Sequence, residues 1–281
     1  MGTILDVSCL KKARSDRSTY IGIPSLSDFP ELIHGFTTRF GGVSTGDCAS
    51  LNLNFNRPDP ADNVMKNYRI LGEQLGVSLE DMVLSHQVHD RNVLSVDKRH
   101  AGMGLTRERS YSDIDGLATN QLDLMLVTLY ADCVPIYFYD PIKRVIALAH
   151  SGWKGTLLNI ATEVIRTMKD VYFCRPENIH AAFGPHIQAC CFEVDENVAD
   201  SFLNTFMWAK DFIALRPDGK RIINLEGIIT RNLLIEGVQE EKISSCSICT
   251  KCHRDIFFSH RGSNGKGGTG AAFLMIRGKY E

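Results

Sequence analysis

Two strongly apolar runs near the middle of the chain constrain its fold most. Leu124-Met125-Leu126-Val127-Thr128-Leu129-Tyr130 leads into Ala131-Asp132-Cys133-Val134-Pro135, and Val145-Ile146-Ala147-Leu148-Ala149 leads into His150-Ser151-Gly152-Trp153-Lys154-Gly155. Short, nearly unbroken apolar runs of this kind read as buried strands. Loops that follow strand ends present reactive groups from a fixed scaffold. The pattern therefore predicts a thiol and an imidazole delivered to one edge of a sheet. A cysteine and a histidine so placed mean a metal site or a nucleophile–base pair.

The bulk composition narrows what surrounds that pair. The chain has 281 residues, 44% hydrophobic and 23% charged, enough for one large domain or two small ones. Its net charge of −2 gives no basic excess for nucleic-acid binding. No apolar run approaches the ~20 residues that span a bilayer. The first twenty residues carry Lys11, Lys12, Arg14 and Arg17 without the apolar stretch of a secretory signal, so a cytoplasmic protein is expected. Nine cysteines, an odd number without such a signal, point to free thiols and metal ligands and away from a disulfide framework.

Residues 1–30 read as an N-terminal arm and first strand, and residues 31–281 as a single catalytic domain. Strands are expected at 32–38, 82–96 with a polar interruption, 122–130, 145–149, 180–183, 255–259 and 271–276. Helices are expected at 60–76, with Asp62 as N-cap and Gly76 as stop, and at about 156–170, 196–208 and 224–237. Residues 98–112 read as a loop. This mixed order, with no repeat and no linker, favours one α+β or layered α/β domain.

Several segments together resemble a known family. They are Thr37-Thr38-Arg39-Phe40-Gly41-Gly42-Val43-Ser44 with Ser50-Leu51-Asn52-Leu53, then Gln87-Val88-His89, then the Asp132-Cys133 and His150-Ser151-Gly152-Trp153 segments. Gly184-Pro185-His186-Ile187 with Phe192-Glu193-Val194, and Cys249-Thr250 with Phe257-Phe258-Ser259, complete the pattern in order over roughly residues 32–277. The chain resembles the multicopper polyphenol oxidase (laccase) family, also described as purine nucleoside phosphorylases of the YlmD, YfiH and FAMIN type. The resemblance implies an α/β/β/α sandwich, YfiH-like, of mixed β-sheets flanked by helices. It also implies a metal held by His89, Cys133 and His150. The implied activities are phosphorolysis of adenosine, inosine and methylthioadenosine, and hydrolytic deamination of adenosine. Older descriptions of the family give phenol oxidation, and peptidoglycan-precursor editing has been attached to bacterial members.

Two imidazoles and a thiolate suit zinc with an open fourth position, and copper is also possible by affinity order. The bland alternative is a buried core thiol beside a satisfied strand-end histidine. Arg39, before two glycines, is a candidate for phosphate or ribose, against an ordinary turn-flanking charge. Gln87 and Asp132 are further substrate-binding candidates, and Asp132 and Glu193 could also move protons or orient the histidines. His86 reads as a surface or outer residue. Cys246-x-x-Cys249-x-x-Cys252-His253 has ligand-like spacing but is read as a turn with free thiols, and Cys190-Cys191 as packing residues. The implied partners are a purine nucleoside and phosphate, with no nucleic acid and no membrane, acting on a monomer or homodimer. The rivals are a copper-dependent phenol oxidase, a Cys–His hydrolase using Cys133, and a non-enzymatic partner or peptidoglycan-precursor editing factor.

Overall fold

The structure, a computed structural model, describes residues 7–278. Residues 1–6, part of the expected arm, and 279–281 lie outside the described residues. The apolar runs are strands of two stacked sheets, each covered on its outside by helices. The first sheet has the order β1 (Tyr20–Ile21), β2 (Leu32–Thr37), β14 (Gly270–Ile276), β6 (Met125–Tyr130) and β3 (Met82–Leu84). The second has β13 (Ile243–Ser245), β9 (His180–Phe183), β7 (Val134–Asp140), β8 (Val145–Ser151), β5 (Gly116–Thr119) and β4 (Val93–Ser95). A small third sheet joins β10 (Glu193–Val194), β12 (Arg221–Ile223) and β11 (Ile213–Leu215).

Alternation along the strands builds the layers. In β14, Ala272, Leu274 and Ile276 join the core between the sheets, while Ala271, Phe273 and Met275 pack with α2 (Ala61–Leu75). In β8, Ile146 and Leu148 face the space between the sheets. Val145, Ala147 and Ala149 pack with α4 (Ile160–Tyr172) and α6 (Leu225–Ile235). With both faces covered, these strands carry no polar face, which is why their sequences read as unbroken apolar runs. The result is one α/β/β/α sandwich, as the family resemblance implies. β1 pairs with β2, and Leu10 and Ala13 of α1 (Val7–Asp16) reach the inter-sheet core. No helix of the described residues is long and apolar enough to cross a membrane.

Local signals account for several boundaries. α2 stops at Gly76, which is left-handed at φ 65° and so favours glycine. Asp62 falls inside the first turn, and Pro60 holds the cap position. The expected helix at 156–170 is two helices, α3 (Trp153–Leu157) and α4, because Asn159 adopts φ 62° between them. α5 (Glu196–Thr205) and α6 fall where helical spacing put them, and Asn224 caps α6 through Gly227 N–H. No strand forms over 255–259. The amides of Ile256 and Phe257 bond back to the His253 carbonyl in a turn, and their side chains plug the inter-sheet core. β7, which starts at Val134 after the cysteine and runs to Asp140, is a strand the apolar runs alone did not reveal.

Candidate metal centre and substrate cavity

β6 belongs to the first sheet and β7 to the second, so Ala131-Asp132-Cys133 crosses from one sheet to the other. The thiol therefore stands at the mouth between two sheets and not on one sheet edge. β7 pairs antiparallel with β8, with Pro135 opposite His150. That register sets Cys133 beside the end of β8. His150 shares the alternation of Ile146 and Leu148 and points between the sheets. His89 arrives from the loop after β3, with a left-handed backbone at φ 65°. Asp132, just before the cysteine, is also left-handed at φ 88°. Two non-glycine residues in this sparsely populated region, both at the same cluster, mark a locally constrained site.

The ligating atoms of His89, Cys133 and His150 all lie within 4.8 Å of one another. The two imidazole rings meet edge to face, 4.8 Å between centroids. His150 is 3% exposed, and its Nδ1 donates to Asp115 Oδ1 at 2.7 Å. That bond directs Nε2 toward the thiol. Asp115 is fully buried and also accepts backbone N–H bonds from Val88, His89 and Asp90, each at 3.0 Å. One carboxylate thus orients His150 and shapes the loop that carries His89. Close approach also explains Gly152. A Cβ there would stand 2.8 Å from the His89 ring and 3.1 Å from Cys133 Sγ.

The electrostatics favour the thiolate. Burial pushes the Cys133 thiol up, but His150 and His89 outweigh it and bring it down to about 6. Burial pulls the His150 imidazole down, yet Cys133 and Asp115 together raise it to about 9. For Asp115, burial is opposed by the bond and charge of His150 and by the loop amides, and the net shift is downward. Two imidazoles and a thiolate with a carboxylate behind one histidine is a zinc-type donor set, so the residues fit a metal.

The trio opens into a cavity of about 580 Å³, within the range of small-molecule sites. Gln87 and Asp132 also line it. The Gln87 amide is clasped to β6, accepting from Leu129 N–H and donating to Leu129 C=O. The Asp132 carboxylate accepts from Thr250 Oγ1 at 2.6 Å and from Arg261 N–H at 2.7 Å. His86 is exposed on the cavity rim. Arg39 is not among the lining residues. Its guanidinium donates to the carbonyls of Ala49 and Arg254 and lies 5.1 Å from the Phe258 ring, where it braces two loops. The Glu193 carboxylate is engaged by Arg216 and Lys220, and Glu193 is not among the lining residues.

The cavity's cationic wall is instead Arg57, Arg109 and Arg261, with His260 beside them and Phe55, Trp153 and Phe192 as aromatic surface. Sequence reasoning picks out none of these as a site residue, although Trp153 and Phe192 stand in its motifs, and it misses Asp115. Nothing in Ser112-Asp113-Ile114-Asp115 separates the buried acid from its exposed neighbour until the fold is known.

Comparisons with known proteins place the chain and its fold in a family. The family described as multi-copper polyphenol oxidoreductase laccase matches residues 33–277. The chain is 32% identical to purine nucleoside phosphorylase YlmD of Bacillus subtilis, over 88% of this chain and 89% of that one. It is 32% identical to adenosine deaminase RL5 of an unknown prokaryotic organism, over 83% and 91%. The crystal structure of YlmD from Geobacillus stearothermophilus superposes with a TM-score of 0.87 at 33% identity, covering 93% of this chain and 97% of that one.

Proposed function

The chain belongs to the multi-copper polyphenol oxidoreductase laccase family, and from that premise we propose that it is a purine nucleoside enzyme of the cytoplasm. Its reactions are phosphorolysis of adenosine, inosine and methylthioadenosine and hydrolytic deamination of adenosine, with zinc at His89, Cys133 and His150. The observation that carries this reading is the meeting of a two-histidine, one-thiolate cluster with a cationic and aromatic cavity. Relatives named purine nucleoside phosphorylase and adenosine deaminase, aligned over most of the chain, support it.

Zinc held by the three residues supplies Lewis acidity for activating water or polarising a substrate atom. The remaining work falls to the chain's own groups. Asp115 holds the His150 Nδ1 proton, so the imidazole keeps one tautomer and one orientation. Arg57, Arg109 and Arg261 line the cavity, and each also holds a neighbouring segment. Arg57 does so through Thr269 Oγ1 and the Gly265 carbonyl, Arg109 through the Leu84 carbonyl, and Arg261 through the Glu193 carbonyl. Their remaining N–H groups are the donors open to phosphate. Trp153 and Phe192 offer flat apolar faces to a purine. Asp132 is held at the cavity wall by Thr250 and Arg261.

Phenol oxidation by several coppers is less well supported. Among the described residues, only two histidines join the cluster, and His86 and His260 line the cavity outside it. A specific observation does favour a second reading. Cys133, His150 and Asp115 form a chain of nucleophile, base and orienting acid, with the thiol lowered to about 6. Turnover of adenosine with and without phosphate, with adenine, hypoxanthine and inosine separated by chromatography, tests the main reading. Product formation only in metal-free protein, together with thiol acylation at Cys133, would favour the hydrolase.

A further inference from the structure

Four cysteines on two separate loops meet beside the cavity wall. Cys190 and Cys191 lie between β9 and β10, and Cys249 and Cys252 lie in the turns after β13. Their sulfurs are all within 4.8 Å of one another. Cys252 Sγ stands 3.7 Å from Cys190 Sγ and 3.5 Å from Cys191 Sγ. A disulfide needs about 2.05 Å, so these are separate thiols. Four sulfurs placed tetrahedrally at about 2.3 Å from a common zinc stand about 3.8 Å apart. The two Cys252 spacings fall just below that value, and the remaining pairs stay within 4.8 Å.

The backbone holds the cluster from both sides. His186 and Cys249 pair in a parallel bridge, with His186 N–H on the Ile248 carbonyl and Thr250 N–H on the His186 carbonyl. The amides of Cys191 and Phe192 both turn back to the Gln188 carbonyl, which folds the vicinal pair toward the other loop. Cys249 Sγ faces the backbone N–H groups of Gln188 and Cys252. The ligand set differs from the run of spacings in the sequence. Cys246 is buried with the inter-sheet core, and neither it nor His253 belongs to the group. Cys190 and Cys191 take their places, so they are not simple packing residues.

We propose that Cys190, Cys191, Cys249 and Cys252 form a closed four-thiolate zinc site, independent of the His89–Cys133–His150 centre. A closed site leaves no position for substrate, so its role is structural. It staples the loop that carries Ile187 and Phe192, both in the cavity wall, to the loop in which Thr250 holds Asp132. Metal binding here releases thiol protons and contributes to the stability of the folded chain.

The test uses the full-length Cys133→Ala protein, which lacks the thiolate of the other centre, prepared under reducing conditions and titrated with Zn²⁺ or Co²⁺ alone. One equivalent of zinc is expected, and cobalt should give strong thiolate charge-transfer absorption with tetrahedral d–d bands. Adding Cys252→Ser should abolish that absorption. A second measurement needs no variant. In the wild-type protein, the exposed Cys190 and Cys252 should resist iodoacetamide while zinc is present and react once a chelator removes it. The proposal is overturned if Cys133→Ala protein shows no thiolate–cobalt absorption. It is equally overturned if zinc leaves alkylation of Cys190 and Cys252 unchanged, or if two of the four cysteines are found as a disulfide in protein handled without oxygen.

Discussion

The Asp115 carboxylate and the His150 imidazole, 2.7 Å apart and both almost fully shielded from water, tie the metal cluster to the loop that carries His89. Because Asp115 also accepts three loop amides, a single residue sets the positions of two of the three proposed ligands. Asp115→Asn keeps the shape but turns an acceptor toward donor chemistry at one oxygen. Zinc affinity should fall about 10- to 100-fold, measured by competition with a chromophoric chelator, and the melting temperature should drop as loop amides lose their acceptor. Unchanged zinc affinity would remove Asp115 from any positioning role.

Cys133→Ala should abolish nucleoside turnover and leave a folded protein. The residue lies on the crossing between sheets, half-buried at the cavity, while the strands on either side keep their pairing. Circular dichroism should match the parent. Retained turnover would assign the chemistry to other residues.

Gly152→Ala tests the packing of the centre without replacing a proposed ligand. The added methyl meets the His89 ring and Cys133 Sγ at distances that force one of them aside. Displacement of a reacting group by about an ångström costs about 100-fold in rate, so kcat should fall by that order while the fold persists. Normal kcat would show that the His89 loop yields without consequence.

The legible part of this molecule was the part with regular periods and short motifs. The runs before Cys133 and His150 are doubly covered strands, and α2 ends where Gly76 permits a left-handed turn. His89, Cys133 and His150 do converge. What stayed hidden depends on contacts remote in sequence. Asp115 looks like any loop acid until β5 pairs with β8 and brings it to His150. Arg39 looks like an anion clamp until the carbonyls of Ala49 and Arg254 are seen to occupy it. Cys190 and Cys191 face Cys252 only because the His186–Cys249 bridge joins their loops.

His34 gives a pH dependence of stability that does not involve the cavity. Burial lowers its imidazole to about 4, opposed by a bond to the Leu26 carbonyl, while Nδ1 accepts the Ile23 N–H. The folded value is depressed, so the unfolded chain binds the proton first as pH falls. The stabilisation is complete above about 6.5, the ordinary histidine value, and is lost as pH falls from there through about 4. At about 1.4 kcal/mol per unit the full loss is about 3–4 kcal/mol. Urea unfolding of wild type and His34→Gln between pH 7 and 4 should show a shallower slope for the variant. Parallel curves would mean that His34 titrates alike in both states.

The cationic wall predicts where phosphate is held. Arg57 and Arg109 are half-buried at the cavity, and lysine in either place keeps the charge but loses the planar fork. A hydrogen bond to a charged group contributes about 1.5–3 kcal/mol, so losing one should raise the phosphate KM about tenfold or more. Deamination needs no phosphate and should change much less. Arg39→Lys serves as the contrast. It loses bonds to the Ala49 and Arg254 carbonyls, so the melting temperature should fall while the phosphate KM stays put. Steady-state kinetics for both reactions on all three variants separate the cases. If Arg39→Lys alone raised the phosphate KM, the anion would sit outside the cavity wall. If Arg57→Lys and Arg109→Lys slowed both reactions equally, the two arginines would contact the nucleoside or the scaffold.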